Sequence, residues 1–364
     1  MRIEVVRPRD LGDAEIARWQ TLQSADAETR SPFLSPGWAK IVDSVRPDIR
    51  VAVIEDAGRI VGFFPAQRTS RFAAMGCGTP LCDYEGVVGE PNLNVNPVAL
   101  ARALRVDRID FAFVPTKQHN FAQLSKETVV SHVLDLSGGI GAFFEQRKKE
   151  GSSTFRDAPK KRRRMQRELG EVRFEPRIKN AAAFEQMLAW KRAQTERTGQ
   201  PDIYGRKWVR EVLDRVFASD SPDCNGYFMS LYAGDRLIGA MLNLGSQEVA
   251  HAWITAYDST LEQYSPGLVM WMDFLQDAGA QGYKELDYGA GDYRFKVATA
   301  NVQRPLMNGF AARPSMAAVV RGAEYAIRKK LESQDFGKWS AMPGKAMRRL
   351  DVMRGLGVFS PSLK

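Results

Sequence analysis

Apolar positions recur along this chain at two periods, and the period marks the element. Residues 3–6 alternate and predict a short strand. Ile16, Trp19 and Leu22 line one face of a helix over 13–24. Ser35 is placed to cap a helix that Pro36 opens and that runs to Val45. Residues 50–55 and 59–67 are apolar runs split by Asp56-Ala57-Gly58, a hairpin signal. A Gly-rich loop over 73–90, a helix over about 97–104, and strands at Ile109–Val114 and His132–Leu136 follow. Residues 140–169 read as helix, a loop around Gly151–Pro159, then a basic helix ending at Gly170.

The second half repeats the order. Helices are predicted over 181–198 and 206–218, then strands 227–233 and 236–245 around Gly234-Asp235. A strand over Val249–Tyr257, a helix over Pro266–Ala278 and a strand over Lys284–Tyr288 come next. The turn sequences Asp56-Ala57-Gly58-Arg59-Ile60-Val61-Gly62 and Ala233-Gly234-Asp235-Arg236-Leu237-Ile238-Gly239 are alike in detail. The pattern predicts two similar α/β domains, residues 1–150 and 151–314. A basic amphipathic helix over 315–332 opens a tail, residues 315–364.

Charge changes the picture by its distribution. The chain of 364 residues is net +9. Residues 147–179 are net +8 and residues 321–364 net +6, so the rest is net −5. A duplex-binding face would spread its positive charge more widely, and the basic run lacks the interleaved aromatics of a single-stranded nucleic-acid platform. DNA is therefore not an expected partner. Cys77, Cys82 and Cys224 supply neither a disulfide framework nor a zinc site, and they fit a reducing cytoplasm. No metal is expected. The first residues lack a signal-peptide h-region, and no run of 18 apolar residues exists to span a membrane.

Residues 249–296 carry the chemical information. Ser265-Pro266 opens a helix after a strand and loop, and Gly267 lets backbone N–H groups face an anion. An ordinary Pro-started helix reads the same way. Period two puts His251, Trp253, Thr255 and Tyr257 on one strand face. His251 has the pKa range of a general base, or is a half-buried histidine satisfied by hydrogen bonds. Asp287 and Asp292 flank a Gly-rich loop at a strand end, as site carboxylates or as turn caps. Lys296 orients an anionic acceptor or is a solvated charge.

Tyr264-Ser265-Pro266-Gly267, followed by Gly282, Asp287 and Gly291-Asp292-Tyr293-Arg294-Phe295-Lys296, resembles the CelD-like acetyltransferases of bacterial polysaccharide loci, within the GNAT superfamily. The chain is also similar to the Fem-type aminoacyl transferases, which carry tandem GNAT-like domains. Phe33 to Trp38, Cys82-Asp83-Tyr84 and Arg156 to Gly170 extend the likeness to about residue 300. The resemblance implies an α/β (α+β) fold: tandem GNAT-like domains with mixed, mostly antiparallel sheets flanked by helices. It implies acetyl-CoA or another acyl-CoA as co-substrate. Thr255 and Tyr257 would lie along the pantetheine arm, and Ser265, Gly267 and Leu268 would take the pyrophosphate. Phe295 stands where the family often has Tyr. A general acid there is missing, and Tyr293 replaces it only if the local geometry differs.

Acyl transfer from a thioester to an amine needs a base, alignment and protonation of the leaving thiolate. His251, Asp292 and Tyr293 are the candidate catalytic groups. Asp83, Tyr84, Asp287 and Lys296 are the candidate acceptor-binding groups, Asp83-Tyr84-Glu85 being otherwise a surface turn. Trp38 reads as a core anchor. The run Lys160-Lys161-Arg162-Arg163-Arg164 with Arg167 has three readings: a solvated face, a phosphate site, or a contact with anionic lipid. The tail helix docks on the body or lies on a membrane surface. The expected function is acyl-CoA-dependent N-acylation of an amino sugar or glycan intermediate. The chain would then sit in the cytoplasm, or peripherally at the inner face of the plasma membrane. The alternatives are transfer from aminoacyl-tRNA and a non-catalytic module that reads a nucleotide second messenger or lipid.

Overall fold

A computed structural model describes residues 1–291, 293–333 and 342–358. Two compact units divide it: Met1–Val129 with Pro305–Lys364, and Val130–Arg304.

The first unit opens with β1 (Arg2–Val6), α1 (Asp13–Ala25) and α2 (Pro36–Asp43). Ser35 caps α2 as expected, its Oγ accepting the Trp38 N–H at 3.0 Å. β2 (Ile49–Asp56) and β3 (Arg59–Gln67) form the predicted hairpin. Ala57 and Gly58 both take positive φ, 48° and 77°, the turn geometry whose twist matches that of paired strands. β4 (Ala73–Gly76), β5 (Val88–Gly89), α3 (Pro97–Ala103), β6 (Arg108–Pro115) and α4 (His119–Ala122) follow. β1 to β4 pair antiparallel in chain order, and β4 runs parallel to β6 through Ala73–Ala74 and Arg108–Ile109.

β7 (Ser125–Asp135) carries the chain into the second unit. There α5 (Ile140–Lys149), α6 (Ser153–Leu169), β8 (Val172–Pro176), α7 (Ala181–Arg197) and α8 (Lys207–Ala218) precede β9 (Asp220–Ser221), β10 (Cys224–Ala233), β11 (Arg236–Gly245) and β12 (Val249–Tyr257). α9 (Pro266–Ala280), β13 (Glu285–Ala290) and α10 (Arg294–Thr299) complete the unit. β8, β10, β11 and β12 pair antiparallel in that order, β12 runs parallel to β13, and β13 is antiparallel to β7. β14 (Val302–Ala312) then returns to the first unit, antiparallel to β6, followed by α11 (Met316–Glu332) and α12 (Met342–Gly355).

Each unit is thus a mixed, mostly antiparallel sheet flanked by helices, and the two repeat one topology. The exchange of closing strands corrects the expected boundaries at 150 and 314. The antiparallel partner of β6 lies far downstream in β14, so the first unit is discontinuous in sequence and includes the tail. A second correction concerns residues 151–159. They are helical, and Pro159 lies inside α6. Ala158 and Met165 are buried, and Phe155 meets Trp271 of α9 edge-on at 5.6 Å, so one apolar face runs through the exposed proline and offsets its missing N–H.

Adjacent residues of β10 show how the second unit is layered. Tyr227 meets Phe274 of α9, whereas Phe228 meets Phe184 of α7 and Phe217 of α8. Successive side chains point to opposite faces, so α9 covers one face and α7 with α8 the other.

Candidate active site

The parallel pairing of β12 with β13 is short. It joins Val249, Ala250 and His251 to Glu285, Leu286 and Asp287, and among the described residues it ends there. Beyond His251, β12 stays paired with β11 on its other side as far as Tyr257. The two strands therefore splay, leaving one backbone edge of residues 252–257 without a strand partner.

The register of β12 on β11 shifts by one between Ile254 and His251, so Ala252 and Trp253 together face Asn243. Asn243 is fully buried and holds this bulge. Its Oδ1 accepts the Trp253 N–H at 3.3 Å and its Nδ2 donates to Tyr227 O at 3.2 Å. A one-residue bulge reverses every side chain beyond it. Thr255 and Tyr257 consequently face α9, while His251 faces the α7–α8 side, which corrects the single face expected from strict alternation. His251 is fully buried, with Nδ1 3.9 Å from Asp287 Oδ1.

Asp287 is likewise buried, and it caps the turn at Gly289 from within the core. It accepts from Ser131 Oγ (2.6 Å), from the Gly289 N–H (2.7 Å) and from Arg304 (3.4 Å). It anchors a bulge in β13 at which Gly289 takes φ 68°. Lys296 is not a solvated charge either. Its Nζ donates to the carbonyls of Tyr288 (2.6 Å) and Ala290 (3.1 Å), fastening the open end of β13. Tyr293 is 65% exposed, its ring 5.4 Å from Lys296 Nζ. Asp292 lies outside the described residues. Phe295 packs edge-on against buried Tyr288, whose hydroxyl is pushed well above the usual tyrosine range by burial.

α9 begins beside the splayed part of β12. The helix opens at Pro266 as expected, while Ser265 adopts left-handed backbone geometry, φ 56° and ψ 56°, and its side chain does not cap the helix. A non-glycine residue in that region stores strain of order 1 kcal/mol or more, and such strain is concentrated at ligand sites. The Ser265 N–H donates to Glu262 O and the Leu268 N–H to Ser265 O. Pro266 has no N–H, which leaves that of Gly267 as the amide in this stretch without an acceptor among the described residues. Leu268 is therefore not one of the outward donors. A Cβ on Gly267 would lie 3.3 Å from Cε1 of Tyr257, so the glycine admits the ring. Lys161 of α6 reaches Gln263 O at 3.5 Å, just before the helix start. Arg162 is spent internally, on Asp273 and on Val172 O at 3.0 Å. Arg156, Lys160, Arg163 and Arg167 remain exposed.

These residues fit an acyl-CoA. Past His251 the splay ends the pairing of β12 with β13 among the described residues. The Gly267 amide stands at the positive end of a 15-residue helix, and Lys161 reaches the carbonyl of Gln263 in the segment before it. Sequence reading missed Lys191. It lies on α7, its Nζ is 3.3 Å from Thr255 O, and burial lowers its pKa. Its signal was positional: Phe184, Leu188, Lys191 and Thr195 share the inward stripe of α7.

In the first unit the corresponding splay, between β4 and β6, is bridged by the protein itself. Glu85 Oε2 accepts the Ala112 N–H of β6 at 3.0 Å, and Oε1 accepts from Thr79 Oγ1 at 3.1 Å. Gly76 of β4 makes room, since a Cβ there would fall 2.1 Å from the Glu85 side chain. Tyr84 is buried in the core and Asp83 is half-buried, while Glu85 is the member of this loop that bonds to β6. Trp38 is a core anchor, fully buried and donating to Cys77 O at 2.8 Å. Burial raises the thiol pKa of Cys77 and Cys82, so neither is a ready nucleophile.

Residues 152–297 match the model of an acetyltransferase (GNAT) domain, a span that contains the splay and the start of α9. No curated protein matches the chain. Among solved structures, the C-terminal domain (DUF2156) of a protein described as a lysylphosphatidylglycerol synthetase from Agrobacterium fabrum is 11% identical. It aligns over 87% of this chain and 97% of that one at TM-score 0.54. L-PGS from Bacillus licheniformis is 10% identical over 87% and 96%, at TM-score 0.51. These two show a shared fold. A tandem GNAT protein from the clavulanic acid biosynthesis pathway, 11% identical over 86% and 99%, aligns at TM-score 0.48. The domain match makes residues 152–297 an acyltransferase domain of the GNAT type, and the first unit repeats its mixed sheet topology.

Proposed function

We propose that the second unit binds acyl-CoA, acetyl-CoA first among candidates, and transfers the acyl group to the amine of an amino sugar or glycan intermediate in bacterial polysaccharide biosynthesis. The splay of β12 from β13, opening beside the Gly267 amide, is the observation that supports this reading. The acceptor class rests on the likeness of the 264–296 motif to the polysaccharide-locus enzymes.

The thioester supplies an activated carbonyl. The stretch of β12 that diverges from β13 orients the donor, and Gly267 with Lys161 holds its phosphates. His251 and Asp287 act as a buried positioning pair at the last residues before the strands part. As the C–N bond forms and the C–S bond breaks, Tyr293 is the candidate for protonating the leaving thiolate, since Phe295 has no hydroxyl, and the proton lost by the amine restores the phenol. The test is release of free thiol from acetyl-CoA with a panel of amino sugars and nucleotide-linked amino sugars. Turnover with one of them supports the reading; donor binding without turnover on any of them removes the acceptor class.

The exposed cations of α6 favour a second reading, transfer from aminoacyl-tRNA. Salt-sensitive tRNA binding in the absence of CoA binding would establish it.

A further inference from the structure

α11 is inverted relative to an ordinary surface helix. Its charged side faces the first unit. Arg321, only 2% exposed, pairs with Asp110, Glu324 and Asp351, each at 2.7–2.9 Å. Arg328 pairs with Glu127 at 2.7 Å, and the Tyr325 ring stacks on Phe310. Residues 321, 325 and 328 form one stripe, so the opposite stripe faces outward. That outward stripe is apolar: Met316 is 75% exposed, Val319 63%, Val320 51% and Ile327 59%.

α12 adds exposed Met342 and Leu350. Of the fourteen exposed large apolar side chains among the described residues, seven lie on these two helices. Cations accompany them: Lys329 and Lys330 on α11, and Lys345, Arg348 and Arg349 on α12, all exposed. No helix among the described residues is long and apolar enough to cross a membrane.

We propose that the outward face of α11, with the cations of α11 and α12, seats this protein on an anionic lipid surface. An amphipathic helix with an apolar stripe and flanking lysines binds in the interfacial plane, and each cation near an anionic leaflet adds to the attraction. Charge selects this occupant over a second copy of the chain. A two-fold contact would set the same lysines and arginines against themselves. The proposal does not rest on the acyl-CoA reading.

The test is co-sedimentation of the full chain with vesicles of phosphatidylcholine alone or with 30 mol% phosphatidylglycerol, in low and in high salt. The expected result is binding to the anionic vesicles at least about tenfold stronger than to the neutral ones and weakened by salt. Ile327→Asp and the double change Lys329→Glu/Lys330→Glu should each reduce it at least about tenfold, with thermal unfolding midpoints unchanged because these side chains are exposed. Equal binding by Ile327→Asp, or no binding to anionic vesicles, overturns the proposal. So does a concentration-dependent dimer that Ile327→Asp abolishes, which would assign the stripe to self-association.

Discussion

The Tyr257 ring lies against the backbone of Gly267, joining the free end of β12 to the first turn of α9 where a Cβ would come within 3.3 Å. Two halves of the proposed donor site therefore share one close contact, which a side chain at 267 would crowd. Gly267→Val should displace the ring and the amide together. We expect the KM for acetyl-CoA to rise at least about tenfold, equivalent to about 1.4 kcal/mol, with the unfolding midpoint little changed. An unchanged KM would separate this contact from donor binding.

Asn243 holds the β12 bulge by hydrogen bonds to two backbone groups, the half-buried Trp253 N–H and the buried Tyr227 O. Asn243→Leu keeps the volume and removes both partners. Each buried group left unsatisfied costs about 1–3 kcal/mol, so denaturant unfolding should show a loss of that order or more. Because the bulge sets which side chains face α9, acetyl-CoA binding should fall in the folded fraction as well.

Burial pushes the Glu85 carboxyl up to about 7, above its ordinary value of 4.5. The folded state thus retains a proton that the unfolded chain releases. The stability from protonated Glu85 is complete below pH 4.5 and is lost as pH rises to about 7, by on the order of 3 kcal/mol. Glu85→Gln should flatten this part of the stability–pH curve and be more stable than the parent at pH 8. A parallel curve for the variant would show that Glu85 does not titrate in this window.

Arg321 ties α11 to β6 through Asp110, which is 2% exposed. Arg321→Met leaves that carboxylate with Arg108 as its remaining cationic partner. Removing one partner of a buried pair costs about 3–5 kcal/mol, and Arg108 should hold the loss near the lower figure. Limited proteolysis should then cleave within residues 313–358 well before the second unit.

Local signals carried the hairpins, the capped start of α2 and the strand–helix–strand order of residues 249–288. Those segments have clear periodicity and turn chemistry that acts between neighbours. The exchange of β7 and β14 was illegible because strand pairing across the chain leaves no local mark, and Pro305 within 302–312 masked the strand. The bulge in β12 was missed for a related reason. Alternation predicts faces only where register is unbroken, and the break depends on Asn243, ten residues before Trp253. Asp287 and Lys296 were read as acceptor-binding groups, but their partners are the buried core of the second unit and the carbonyls of β13. Burial of that kind is a tertiary property.

The central claim is that the second unit's splay, and not the first unit's, receives an acyl-CoA. Calorimetry with acetyl-CoA, followed by amide hydrogen exchange on the saturated protein, tests it most directly. The account predicts saturable binding, with new protection concentrated in residues 252–257 and at Gly267. Absence of binding at millimolar acetyl-CoA, or protection confined to β4 and β6, would contradict it.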